Sequence, residues 1–187
     1  MNETLTTILK RRSIRQYQPD QIKEEELQSI LEAGKFAPSG MGCQAWHFTA
    51  VQNPDALKLI NRFAREFMLH CGNPELEEKA KPEDFSALYN APTLIIISGE
   101  EKTRTSQYNC AFALSNMFLA AKSLGIGSCF IFAAGASLND NEEGKAVMKA
   151  LGVPDGYRVY AAGAFGYPAG ELPEAAPRKE GTVNIVK

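Results

Sequence analysis

The sequence predicts an α+β fold in one domain spanning residues 1–187: about four core strands, helices on both faces, and an extended C-terminal arm from about residue 167. Three observations carry this prediction. The run Pro92–Ser98 is apolar and β-branched without alternation, the pattern of a central strand buried on both faces. Tyr108–Leu124 is small and apolar almost all round, which fits a helix buried on most sides. Tyr167–Gly181 carries Pro and Gly and leads into a β-like run, Thr182–Val186. Such an arm does not fold readily alone, and it more plausibly crosses to a second copy and adds a strand to that sheet.

The remaining elements follow in order. Asn2 is placed to cap a short helix through Leu5, Ile8 and Leu9 that ends in Lys10-Arg11-Arg12. Lys23–Ala37 sets Leu27, Ile30, Leu31 and Gly34 at helical spacing, with Glu24, Glu25 and Glu26 suiting its first turn. Pro38-Ser39-Gly40 stops it. Trp46–Val51 alternates as a strand, and Asn53-Pro54 opens a helix whose stripe is Leu57, Ile60, Ala64, Phe67 and Met68. His70–Asp84 is charged, carries Pro74 and Pro82, and reads as a mobile excursion with one helical turn. Gly125 ends the small-residue helix. Ser128–Phe132 is a strand, Glu142–Leu151 an amphipathic helix, and Arg158–Phe165 a strand.

Composition narrows the function. The chain has 187 residues, 44% hydrophobic and 22% charged, with a formal net charge of −2, which argues against a general nucleic-acid or membrane-surface binder. No run reaches the roughly 18–20 apolar residues of a membrane span. Met1–Lys10 is polar and helix-like rather than a signal peptide, so a cytoplasmic location is expected. Cys43, Cys71, Cys110 and Cys129 are scattered and read as free thiols, and with only His47 and His70 a zinc site is not expected.

Four stretches carry candidate chemistry. Arg11, Arg12, Ser13 and Arg15 put three guanidinium groups and a hydroxyl within five residues, a donor set suited to a phosphate. Alone, such a cluster is more often a solvated helix end. Pro38, Ser39, Gly40, Met41 and Gln44 lie on a small-residue loop before an aromatic strand, where backbone donors can approach a planar ring; an ordinary helix-to-strand connection has the same look. Gly125–Phe132 with Ala133-Ala134-Gly135 can press backbone N–H groups against a cofactor. However, Gly125 and Gly127 more simply make a turn, and the order helix–Gly-x-Gly–strand is the reverse of a dinucleotide fingerprint. Arg178 and Lys179 add charge to the arm and, taken alone, read as a solvated tail. No side-chain nucleophile or catalytic acid stands out.

In order, Arg11-Arg12-Ser13-Ile14-Arg15, Ala37-Pro38-Ser39 through Gln44-Ala45-Trp46-His47-Phe48, Ala120-Ala121 through Leu124-Gly125-Ile126-Gly127-Ser128, and Gly166-Tyr167-Pro168 with Arg178-Lys179 resemble the nitroreductase family of FMN-dependent oxidoreductases. The resemblance implies a nitroreductase-like fold with a mostly antiparallel sheet. It also implies a homodimer with FMN at the subunit interface and NAD(P)H as co-substrate in a ping-pong reduction of a nitroaromatic, quinone or similar acceptor. It assigns Arg11, Arg12, Ser13 and Arg15 to the phosphate, ribityl chain and pyrimidine edge, with Arg15 as the candidate for tuning the ring. It assigns Pro38, Ser39, Gly40, Met41 and Gln44 to the flavin of the other subunit, Ile131, Phe132, Ala133, Ala134 and Gly135 to the ring near N5, and Arg178 and Lys179 to the phosphate. Relatives with other flavin reactions dehalogenate, dehydrogenate or fragment the flavin, with Met68–Ser86 as the natural lid here. A non-catalytic flavin-binding or thiol-switch protein using Cys43 or Cys129 is the other reading. Gly42 and Ala45 depart from the Asn and Pro that the family often carries.

Overall fold

A computed structural model describes residues 1–139 and 142–187. Its helices are α1 (Glu3–Lys10), α2 (Glu24–Lys35), α3 (Pro54–Leu69), α4 (Pro74–Ala80), α5 (Ser106–Ser123), α6 (Phe132–Asn139) and α7 (Glu142–Ala150). Its strands are β1 (Trp46–Val51), β2 (Thr93–Glu100), β3 (Gly127–Phe130) and β4 (Tyr157–Gly166), hydrogen-bonded in the order β1-β2-β4-β3 and antiparallel throughout.

The two-residue period of β2 divides the core. Leu94 and Ile96 face a cluster with Ile60, Phe63 and Ala64 of α3, Leu138 of α6 and Met148 of α7. Ile95 and Ile97 face Leu27 and Ile30 of α2 and Leu114 and Met117 of α5. All four are at most 1% exposed, so the strand is buried on both faces as its composition predicts. Capping sets the helix starts. Asn2 accepts from the Leu5 amide at 2.9 Å, and Asn53 accepts from the amides of Asp55 and Ala56 ahead of Pro54.

The structure corrects four of the expectations. The strand read as Ser128–Phe132 runs from Gly127 to Phe130, and Phe132 opens α6. That helix is apolar on every side, so it shows no stripe and reads from sequence like more strand. The excursion 70–84 holds the two-turn helix α4, started by Asn73 accepting from two amides and pinned to α3 where Arg65 donates to the carbonyls of Ala80 and Lys81, both at 2.8 Å. Within this chain α5 is not covered on most sides: Tyr108 and Phe112, one turn apart, stand exposed. Lastly, Gly125 makes the turn with a φ of 78°, but Gly127 has a different task, described below.

The arm starts inside the fold and leaves it. Gln18 and Tyr167, then Ala169 and Gln16, exchange backbone bonds of 2.9 Å, and the Tyr167 hydroxyl donates to Glu26 of α2. From Gly170 onward the chain is exposed and has no helix or strand, including Thr182–Val186.

Candidate functional site

The arginine segment is strung along the edge of the sheet. The Ile14 amide donates to the Ser128 carbonyl at 2.9 Å, and Ser13 bridges Ser128 in parallel. Gly127 is what lets it lie so close: a Cβ there would sit 3.0 Å from three atoms of the Ile14 side chain. Because the segment is extended, Ile14 turns into the protein while Arg11, Ser13 and Arg15 share the other side.

All three of those residues act on one neighbour, the buried Cys129 of β3. Burial pushes its thiol above the ordinary range, and Arg15, the Ser13 hydroxyl and Arg11 each pull the other way. Arg11 lies 5.8 Å above the ring of Phe118 on α5, and Arg15 lies 5.7 Å from the ring of Tyr89. Arg12 is set apart from them. Its guanidinium donates to the carbonyls of Leu9 and Arg11, both at 2.7 Å, and so closes the C-terminal end of α1. Beside the segment, Lys10, Arg11, Arg12 and Lys122 wall a cavity of about 170 Å³ whose floor is Gly125–Ser128.

The loop before β1 is built differently. Gly40–Gly42 form a single 3₁₀ turn in which Met41, Gly42 and then Gln44 have positive φ of 53°, 64° and 46°. Met41 is fully exposed, Pro38 and Gln44 are exposed, and Ser39 uses its hydroxyl to accept from the Gln44 amide. A buried side chain of α5, Asn109, holds this turn. Its carbonyl accepts from the Gly40 amide at 3.0 Å and its amide donates to Cys43 Sγ and Thr105 Oγ1. Gly40 permits the approach, since a Cβ would meet Thr105 at 2.7 Å. Sequence reasoning missed Asn109: α5 also carries Gln107 and Asn116, and nothing local singles out the one amide that is buried.

The loop therefore rests on Thr105 and Asn109 at the start of α5, and the arginine segment rests beside Phe118 and Lys122 at its end. At 1.5 Å per residue the two supports stand roughly 15–25 Å apart along the helix.

The third stretch is mostly structural in its side chains. Ile131, Ala133 and Ala134 are buried in the core and Gly135 is buried beside Val159; only Phe132, 64% exposed, projects outward. The part of the stretch that faces outward is therefore backbone, at the N-terminus of α6, plus the Phe132 ring packed edge-on to Phe67 of α3. These rings border a cavity of about 470 Å³ that also takes in Phe130, Arg158 and Tyr160. Arg178 and Lys179 lie on the exposed arm, and within one chain the structure does not bring them to the phosphate-sized cavity. Among the described residues no cluster of His, Cys, Asp and Glu is arranged to hold a metal, and no helix is long and apolar enough to cross a membrane.

Known proteins share this fold. The family model described as "Nitroreductase family" matches residues 8–167. A crystal structure of a nitroreductase with bound FMN from Bacteroides fragilis superposes with a TM-score of 0.91 at 43% identity, covering 100% of both chains. An Archaeoglobus fulgidus protein provisionally named an NADH dehydrogenase/NAD(P)H nitroreductase is 31% identical over 91% of this chain and 88% of its own. An FMN reductase (NADPH) of Bacillus subtilis is 29% identical over 99% of this chain and 76% of its own.

Proposed function

The chain belongs to the nitroreductase family, and from that premise we propose that it is a homodimeric FMN-dependent oxidoreductase that passes reducing equivalents from NAD(P)H to a nitroaromatic, quinone or similar electrophile. The observation that carries the two-copy form of this reading is the separation of the loop and the arginine segment at opposite ends of α5. One chain does not bring them to one ligand; two copies packed with their α5 helices reversed would. The surface needed for that packing is present. Tyr108 and Phe112 of α5, Leu5, Ile8 and Leu9 of α1, Phe36 and Met41 are all exposed apolar side chains. In the same reading the free arm reaches the partner, where the outer edge of β1, unpaired among the described strands, offers backbone groups for an added strand.

The residues present fit FMN. A phosphate monoester is matched by Arg11, Ser13 and the Lys10–Lys122 cavity, whose cations have no carboxylate partner among the described ion pairs. When bound, the flavin supplies the two-electron redox chemistry in alternating reductive and oxidative halves. The protein's share is placement. Arg15 is assigned to the N1–O2 edge of the ring, the backbone opening α6 to the side near N5, and Ser39, Gln44 and the Met41 amide to the partner's flavin, since the amides of Gly40 and Gly42 already donate to Asn109 and to the Ser39 carbonyl. Gly42 leaves the loop without the side-chain amide common in the family, and the Met41 main-chain donor takes that part. Arg178 and Lys179 reach the phosphate only from a repositioned arm.

The test is direct. The purified protein is expected to be yellow, to release FMN on denaturation, and to oxidise NADH or NADPH with menadione or a nitrofuran. An FMN-loaded dimer that turns over neither would contradict the enzymatic reading and leave a flavin-binding protein.

A further inference from the structure

The backbone of Tyr89 is in an unusual state. Its φ is 56°, and Asn90 follows at 53°. A left-handed conformation is uncommon for any side chain and unfavourable for a bulky one, so two in succession persist only where surrounding bonds over-determine them. Here they do. Asn61 of α3 accepts from the Leu88 amide and from the Ser86 hydroxyl, each at 3.3 Å. The Ser86 hydroxyl in turn accepts from the Asn90 amide at 3.0 Å. Backbone bonds from Tyr89 to Ser86 and from Ala91 to Leu88 close the turn on both sides. Glycine at position 89 would relieve the strain, yet the chain places a tyrosine there.

What the turn presents is the ring that meets Arg15. The guanidinium sits 5.7 Å from the Tyr89 centroid. Arg15 is exposed and long, and among the described residues no carboxylate pairs with it. Its neighbours are the Tyr89 ring, Tyr17 and the buried Cys129 thiol, and the contact the geometry gives the guanidinium is with the Tyr89 ring. An unrestrained arginine would spread its charge over many rotamers. Here the Tyr89 ring offers the guanidinium one favoured seat.

We propose that Tyr89 is a positioning residue that aims the Arg15 guanidinium at the N1–O2 edge of the bound flavin and thereby raises its reduction potential; the proposal rests on the FMN reading above. Hydride delivered to N5 by the reduced nicotinamide, which leaves as NAD(P)⁺, puts negative charge on that edge. A fixed cation beside it favours the reduced form over the oxidised one. The ring face does the fixing: Tyr89→Phe keeps it and Tyr89→Leu removes it.

The experiment measures the midpoint potential and the oxidised-FMN affinity of the wild-type holoprotein, Tyr89→Phe, Tyr89→Leu, Arg15→Gln and the Leu/Gln double variant. Tyr89→Leu is expected to reduce the preference for reduced over oxidised FMN about tenfold, a fall of about 30 mV for the two-electron couple, with Tyr89→Phe, which keeps the ring, close to the wild type. In the Arg15→Gln background the leucine change should add nothing, because the effect runs through Arg15. A Tyr89→Leu protein with lowered melting temperature and unchanged potential would make Tyr89 a packing residue and overturn the proposal, as would an equal shift with Arg15 absent. If Arg15→Gln leaves the potential of bound FMN unchanged, the proposal falls while FMN binding stands. If the wild type binds no FMN, both readings fail together.

Discussion

The arginine segment and the loop at residues 38–44 meet the same helix at its two ends and are secured by different chemistry. The segment is held by main-chain bonds to Ser128 and Tyr167, by the apolar anchor Ile14, and by a glycine that lets it approach. The loop is held by one buried amide, Asn109, in a turn with three positive φ values. The difference teaches which half is self-sufficient. The segment is fixed by its own sheet before any ligand or partner arrives. The loop leaves Pro38, Met41 and the Gln44 side chain exposed in the single chain, and the proposed dimer is what would cover them.

Ways to break this contrast rank by size. Replacing Arg11 with Ala removes charge-assisted bonds worth about 1.5–3 kcal/mol, so FMN affinity should drop at least tenfold by fluorescence titration, with the dimer intact by light scattering. Gly127→Val strikes the same half through the backbone, forcing Ile14 out of a 3.0 Å contact. It should cost about 1–3 kcal/mol in thermal stability and weaken FMN together. Asn109→Leu acts on the loop alone: it leaves the Gly40 amide without its acceptor, a penalty of about 1–3 kcal/mol, and Asn109→Asp, which keeps that acceptor, should recover part of the lost FMN affinity. Arg12→Ala should do least. It loosens the end of α1 by up to about 1 kcal/mol and, as one of four cations walling the cavity, should lower flavin affinity less than Arg11→Ala does, because its guanidinium is also bonded to its own helix.

The root of the arm sharpens the comparison through pH. The Tyr167 hydroxyl, then the Lys23 amide, hold Glu26 below the ordinary carboxylate range, and Glu26 in turn raises Tyr167. A lowered carboxyl contributes stability above its ordinary value and loses it as pH falls through the lowered one. A raised phenol contributes below its ordinary value and loses it as pH rises through the raised one. Proteolytic release of the arm should therefore be flat between the ordinary values, 4.5 and 10.0, and increase beyond both. Both groups are at the surface, so the change should be small.

The same contrast explains what the sequence disclosed. Periodicity and caps exposed β2, α3 and the basic segment because those features are local: an unbroken apolar run, an Asn-Pro start, arginines in a row. The supports of the site are not local. Asn109 meets Gly40 across 69 positions, and at Tyr89 no glycine marks the left-handed backbone, which only the neighbouring Asn90 hints at. Helix α6 escaped for the opposite reason, being too uniformly apolar to show a period. The role of Gly127 was visible only once Ile14 lay against it.

Mixed dimers test most directly whether each flavin site draws its arginine segment from one subunit and its loop from the other. An Arg11→Ala subunit is paired with an Asn109→Leu subunit, and FMN is titrated into the purified heterodimer. With segment and loop contributed in trans, one of the two sites receives both intact halves, and half of the FMN should bind with wild-type affinity while the other half binds far more weakly. If both parts served the same subunit's flavin, each site would carry one defect, and a titration without any wild-type-affinity site would contradict the account.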